Sequence, residues 1–404
     1  MKKNIITTTS IIMMFQWLIL VVSCREDSLY LSSYFETLPN SDSSYVKQFK
    51  TFWTFMDFNY PHWDYEASCG VDWDAIYAEY LPKFEELDKR DTREVNLELK
   101  QLYSEIVSRL HDGHMIMKIW NRPYVLPIEI MPQDIRNEES RSDYNVPEPT
   151  IERLEYYDNQ LHNSVGNDSV YWASFTDRIV YFHMDEAASV PLKELKEWRN
   201  YFTIVKDLLA DNALKGIIID LRNFRGGSSK NFHYLLGALQ PVNPISGHHR
   251  VGCVRTKSGL GRYDYNPKIA WMLPVDCDYQ LNITDVPIIV LSNSHTGSLG
   301  EIVCYAVRKM KNGRVVGQRT WGGLSPLTTM DVIQKYCVLG DEYGGNGSLY
   351  ISIPSSTFFT EEGEILEGRG VTPDIEIELD VEEYESTGRD TQLECALEYI
   401  RTGK

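Results

Sequence analysis

The stretch HTGSLGE, His295 to Glu301, follows the apolar run VPIIVLSN and leads into IVCYAVRKM. A serine in the first turn of a helix after a buried strand has its hydroxyl at the strand's C-terminal edge. There the Leu299 N–H and the helix dipole favour negative charge, which suits a nucleophile. Ser298 and Glu301 also have capping-box spacing, which satisfies orphan N–H groups without any chemistry. A GxSxG elbow is excluded, because Thr296 stands where its first glycine belongs. IIIDLRNFRGG, Ile217 to Gly227, ends a strand on Asp220 and Arg222 and opens the glycine pair Gly226 and Gly227. Backbone N–H groups approach an oxyanion closely at such glycines, although a plain strand-to-helix turn would use them too. LHDGH brings His111 and His114, and ILEGRGVTPDIEI sets Glu367 ahead of a glycine-rich turn. A lone histidine is usually a surface or satisfied core group, and an acidic turn is usually a solvated tip. The histidine pair has no third ligand at a metal-site spacing, so no metal is expected. Nucleophile, base, carboxylate and oxyanion site together are the parts of acyl transfer. With neither GxGxxG nor GxxxxGK present, phosphate cradling is unsupported and no cofactor is expected.

The elements that must position these residues divide along the chain. From Ser44 to Leu110 the apolar steps are helical: Val46, Phe49, Trp53 and Met56, then Leu99, Leu102, Tyr103, Ile106 and Leu110. Asp72 is a cap, Asp91 with Glu94 a start signal, and Gly113 a stop. About three helices are predicted over residues 25–118, and residues 119–170 form a linker or insertion, polar and charged between Met131 and Asn167. Over 171–404 the chain alternates: RIVYFHM, GIIID and VPIIVLS as strands, LKELKEWRNYFTIVKDLLA, KNFHYLLGAL and GEIVCYAVRKM as helices. GRVVGQ, SLYISIPSSTFF and DIEIELD follow as further strands. That alternation predicts an α/β core with a largely parallel sheet, with sites where strands end and helices begin. No glycine-led carboxylate-binding loop of a PDZ domain is recognised.

The 404 residues bury a sizeable core, and 43% hydrophobic with 12% aromatic residues describes a globular chain. A formal charge of −18 argues against nucleic acid and anionic membrane surfaces, which need clustered cations. Lys2 and Lys3, an apolar stretch from Ile11 to Val22 and then VVSC make an export signal over residues 1–24. Its end resembles a bacterial lipobox, which implies cleavage before Cys24, lipidation of that thiol and membrane attachment through the N-terminal anchor. The following CREDS resembles the export signals of Bacteroidetes lipoproteins. The expected location is therefore the cell envelope, as an outer-membrane lipoprotein on the periplasmic or the exposed face. The other cysteines show neither a disulfide framework nor CxxC pairs.

GIIIDLRNFRGG, LSNSHTGSLGE, VVGQRTWGG and GRGVTPDIEI, in that order, resemble the C-terminal processing peptidases, serine proteases with a ClpP/crotonase-like core. The helical region with LHDGH is similar to the tricorn-core and interphotoreceptor-retinoid-binding-protein branch. The resemblance implies Ser298 as nucleophile, His114 as its general base, and Glu367 orienting or polarising the site, directly or through an intervening residue. Leu299 and one of Gly226 or Gly227 would be the oxyanion donors. Gly323 stands where another branch has a catalytic lysine, so a Ser-Lys dyad is not expected. Leu299 replaces the usual small residue after the nucleophile, and Gly300 a common serine or alanine. The expectation is a serine endopeptidase acting on peptide or protein substrates through an acyl-enzyme, with homo-oligomerisation possible. A non-catalytic binding lipoprotein and an esterase on the same site are the alternatives.

Overall fold

The computed structural model describes residues 44–90, 95–119, 128–132, 147, 150–167, 170–184, 194–227, 235–236, 239, 248–259, 261–274, 281, 283–327, 335–339 and 349–403. Cys24 and the export signal, the Asp91/Glu94 start signal and much of the Met131–Asn167 insertion lie outside them.

Apolar strand runs build the central sheet. Its order is β14-β10-β9-β6-β5-β4-β3, with β3 His162–Asn167, β4 Val170–Ser174, β5 Ile179–Met184, β6 Gly216–Asp220, β9 Ile288–Ser292, β10 Gly313–Gly317 and β14 Ile375–Glu376. The pairs from β5 through β6, β9 and β10 to β14 are parallel, while β4 runs antiparallel to both β3 and β5. The pleat sends alternate residues to opposite layers. Ile217, Ile219, Val290 and Val315 join one core with helices Lys196–Ala210 and Leu299–Arg308. Ile218, Ile289, Leu291 and Val316 join another with helix Thr391–Thr402. Each fully buried aliphatic side chain is worth about 1.5–3 kcal/mol, so both faces hold the sheet rigid beneath its loops.

Among the described residues four N-terminal helices, Tyr45–Asn59, Trp63–Ser68, Trp73–Leu87 and Asn96–Val107, build a second body where about three were expected. Asp72 caps the third, accepting the Ala75 N–H at 3.0 Å. The fourth stops at Val107, short of Gly113. Gly113 has another use: a Cβ there would lie 2.2 Å from the Gly322 carbonyl oxygen. Long-range pairing closes this body with strands from the far end of the chain. β1 Ile116–Ile119 lies between β2 Ile128–Ile130 and β12 Leu349–Ile353, and β11 Lys335–Leu339 completes the sheet beyond β12. Leu349, Ile351 and Ile353 pack in the same core as Phe49, Phe52 and Tyr103.

SLYISIPSSTFF is two strands, β12 and β13 Ser356–Phe359, in different sheets. β13 pairs with β7 His248–Thr256, itself paired with β8 Ile269–Pro274, neither of which the alternating pattern had announced. Within the stretch read as loop, residues 151–154 are helical and 162–167 form β3. The β7–β8 arm grips the helical body by ion pairs of Arg255 with Asp64 and of Arg262 with Asp57 and Asp74.

Candidate active site

The loop after β9 holds Ser298 in an unusual backbone state. Its φ of 51° and ψ of −117° lie outside the extended conformation that an N-cap residue ordinarily adopts. A left-handed φ in a non-glycine residue is strain that the surroundings must impose, and such strain clusters at functional sites. Two straps impose it. Thr296 Oγ1 donates to the Leu221 carbonyl at 2.8 Å, and the Gly297 N–H to the Phe224 carbonyl at 2.9 Å. Asn293 adds a reciprocal pair with Asn223, its Oδ1 accepting the Asn223 N–H and its Nδ2 donating to Asn223 Oδ1.

These straps lay the loop after β6 against the serine. Gly226 has φ +112°, and a Cβ on it would stand 2.5 Å from Ser298 Cβ, 3.0 Å from Oγ and 3.4 Å from the Leu299 nitrogen. Only glycine admits that approach. Gly227, at φ +158°, has open space around it. Leu299 begins a helix, so its N–H has no intrahelical acceptor. Asp220 and Arg222 are not at this mouth. They pair with each other beneath it, and Arg222 also pairs with Asp390, the cap of the last helix.

Glu301, wholly buried, is the hub on the other side. Its Oε2 accepts the Ser298 N–H at 3.0 Å and the Gly323 N–H at 2.7 Å, while Oε1 accepts the Thr320 hydroxyl at 2.6 Å and the Gly322 N–H at 2.7 Å. Burial pushes its carboxyl up to about 7, against these four donors, which all favour the ion. The acid that sequence spacing offered as a capping partner therefore does more than cap.

The Gly322–Gly323 turn carries the histidine loop. Trp321 Nε1 donates to the Gly113 carbonyl at 3.0 Å, and the Trp321 N–H donates to the Thr296 carbonyl at 2.9 Å. Glu367, also buried, accepts the Gly113 N–H at 3.0 Å on one oxygen and the Ser325 N–H at 2.8 Å on the other. Burial, then the nearby Asp112 carboxylate, holds its carboxyl well above the usual range. The Gly368 N–H donates to the Gly322 carbonyl at 2.7 Å. The segments bearing Ser298, Gly226, His114 and Glu367 thus converge through main chain and two buried acids.

His114 is half-buried, with its main-chain N–H donated to Asp112 Oδ1 at 2.7 Å. Burial lowers its pKa from the ordinary 6.5, so the imidazole is neutral and able to accept a proton at neutral pH. Its ring and the Ser298 hydroxyl are not hydrogen-bonded to each other among the described residues, and Glu367 reaches the histidine loop only through Gly113 and Ser325. Such contacts are often loose before substrate binds. His111 is engaged elsewhere: Nδ1 lies 2.9 Å from the buried Glu66 carboxylate, which also accepts the Tyr60 hydroxyl. The positioning parts that residue patterns did not single out are Asp112, Ser325, Trp321 and the hub role of Glu301. A buried acid three residues after the serine was the one available signal.

A parallel-sheet α/β core with a strained serine between a strand and a helix, beside a glycine-lined approach, holds the parts that a serine-nucleophile site would use. Residues 178–377 match the model of peptidase family S41, and through this segment the chain belongs to that family. It is 29% identical over 225 residues to the tricorn protease of Thermoplasma volcanium, covering 55% of this chain and 17% of that protein. To a carboxy-terminal-processing protease of Bartonella bacilliformis it is 30% identical over 178 residues, covering 43% of this chain and 34% of the other. The chain spans only a minor part of the length of these curated relatives. In fold it is similar to a candidate peptidase from Parabacteroides merdae, with a TM-score of 0.64 at 19% identity over 90% of this chain and 98% of that one. It is also similar to mature CPAF complexed with lactacystin, with a TM-score of 0.61 at 12% identity over 89% and 99% of the two chains.

Proposed function

We propose that this chain is a serine endopeptidase that hydrolyses peptide bonds through an acyl-enzyme on Ser298. The observation that carries the reading is the strained Ser298 pressed against Gly226, with the Leu299 N–H beside it. His114 takes the Ser298 hydroxyl proton as Oγ attacks the peptide carbonyl. The resulting oxyanion sits against the Leu299 N–H and a glycine N–H, Gly226 being the nearer of the two glycines to the serine. His114 then gives its proton to the leaving amine, and water repeats the sequence in reverse to free the product. Glu367 holds the histidine loop from behind through Gly113 and Ser325.

The family membership of residues 178–377 supports peptide or protein substrates. The VVSC sequence supports export and a lipid anchor at Cys24, which would place the enzyme in the cell envelope. Association into homo-oligomers belongs to the same proposal.

The test is intact-mass spectrometry of the full chain after exposure to a fluorophosphonate, with Ser298→Ala and His114→Ala alongside. One adduct on Ser298, absent from Ser298→Ala and slowed in His114→Ala, is expected. A folded wild type that takes no adduct overturns the proposal and leaves ligand binding on the same fold. Turnover of simple esters with no turnover of peptides would reassign the site as an esterase.

A further inference from the structure

We propose that Asp112 is the positioning carboxylate of His114, acting through one water held between Asp112, His62 and His114. The inference rests on the reading of His114 as general base and identifies what holds its ring.

Asp112 is fully buried, and only one of its oxygens serves the loop. Oδ1 accepts the N–H groups of His114 and Met115, both at 2.7 Å. Oδ2 has no hydrogen-bond partner among the described residues, and neither do His62 Nδ1, His62 Nε2 or His114 Nδ1, all of them buried. Oδ2 lies 3.7 Å from His62 Nδ1, too far for a direct hydrogen bond. Buried polar atoms in native proteins are nearly all hydrogen-bonded, so an unpartnered carboxylate oxygen 3.7 Å from an unpartnered His62 nitrogen, with the unpartnered His114 Nδ1 two residues along the chain, calls for an explanation. A buried water with about three such partners is the ordinary one. Bound here, it would accept from or donate to each ring and donate to Oδ2, fixing which His114 nitrogen carries the proton.

The charges favour Asp112 over Glu367 for this duty. Asp112 and His62 are the titratable groups that bear on the His114 ring, the first favouring its cation and the second, when protonated, opposing it. The main-chain carbonyl of Ser325 also faces the ring. Both Glu367 oxygens are occupied by the Gly113 and Ser325 N–H donors, so neither is left to serve the His114 ring. The imidazolium formed when Ser298 is deprotonated needs an anion nearby, and Asp112 supplies it. His62 is flanked in turn by Glu66 and Asp64, and burial outweighs all three acids to keep it neutral.

The experiment is the pH dependence of fluorophosphonate labelling in the full chain for wild type, Asp112→Asn and Glu367→Gln. Asparagine keeps an oxygen for the two loop amides, removes the charge and puts an NH2 donor where Oδ2 accepted. Asp112→Asn is expected to lower the plateau rate by at least about tenfold, a part of the roughly 10²–10⁴-fold that a general base contributes. It is also expected to move the acid midpoint to lower pH, because losing a neighbouring carboxylate weakens proton binding by the imidazole. Glu367→Gln should leave the midpoint in place. An unchanged profile in Asp112→Asn, or a midpoint that moves only in Glu367→Gln, overturns the proposal. Imidazole NMR of the Ser298→Ala chain gives a second measurement that does not depend on the folding of Asp112→Asn. A His114 Nδ1 proton held at low field, and retained in Glu367→Gln, supports it, whereas its absence or its loss in that variant overturns it. If His114→Ala labels as fast as wild type, the base assignment fails, while the NMR signal still reports the Asp112–His114 link.

Discussion

The Ser298 N–H donates to Glu301 Oε2 at 3.0 Å, and the same carboxylate collects the Gly322 and Gly323 N–H groups and the Thr320 hydroxyl. One buried acid thereby fixes the nucleophile relative to the turn that carries the histidine loop. It also uses up the serine's own N–H, which leaves the Leu299 N–H as the donor nearest the reacting atoms. Glu301→Gln keeps the shape but has one acceptor oxygen, so donors on its other side face an NH2 group. Each donor left unpaired costs about 1–3 kcal/mol. Urea denaturation should show a loss of that order, and fluorophosphonate labelling should slow with it. Labelling and stability equal to wild type would show that Glu301 is dispensable as a hub.

The Gly226 approach makes a sharper test because its neighbour is a built-in control. An alanine at 226 would meet Ser298 Cβ at 2.5 Å, whereas one at 227 meets nothing within 4 Å and suffers backbone strain alone. Gly226→Ala is expected to lose acylation by about 10²–10³-fold, the usual effect of spoiling an oxyanion donor. Gly227→Ala should lose much less. Reversed ranks in the labelling rate would move the oxyanion site to Gly227.

Trp321 bridges two loops: its ring donates to the Gly113 carbonyl, and its main chain donates to Thr296. Trp321→Phe removes one neutral hydrogen bond, worth about 0.5–1.5 kcal/mol, or up to about tenfold in rate. If the bond acts by placing His114, the slowing appears in the wild-type background and vanishes in His114→Ala. Equal slowing in both backgrounds, measured as a double-mutant cycle, would show that the indole acts elsewhere.

His62 and His114 are both held below the ordinary 6.5 by burial. As the pH falls below 6.5 the unfolded chain takes up these protons before the native chain does, so the native state loses stability through that window. The stability contributed by their neutral burial is complete above 6.5. His62→Leu should therefore flatten the fall in urea stability between about pH 6.5 and 5 relative to wild type. For activity the same shift keeps His114 neutral, and the acid limb of labelling should have its midpoint below 6.5. A midpoint above that value would contradict the burial of the ring.

The chain itself already spelled out the core: GIIID, VPIIVLS and GEIVCYAVRKM became β6, β9 and the Leu299–Arg308 helix. Short apolar runs bounded by turn signals have few other ways to bury themselves. The residues Ser298, His114, Glu367, Gly226 and Leu299 were also legible as types at motif positions. Sequence left open whether Ser298 capped a helix or stood ready for chemistry, because both uses share the spacing to Glu301. In the structure Ser298 is the N-cap and Glu301 accepts its N–H, and its φ of 51° adds a strain that capping alone does not require. The strands 349–353 could not be assigned to the helical body from local pattern, since their partner β1 lies more than two hundred residues upstream. Nor could periodicity show that Gly113 packs against Gly322 and Gly323, or that Asp112 keeps an unpartnered oxygen near the buried His62. Residue types and short-range periodicity determined the elements and the chemical inventory. Burial, backbone strain and contacts between distant loops exist only once the chain has closed, and they decided which of those residues meet.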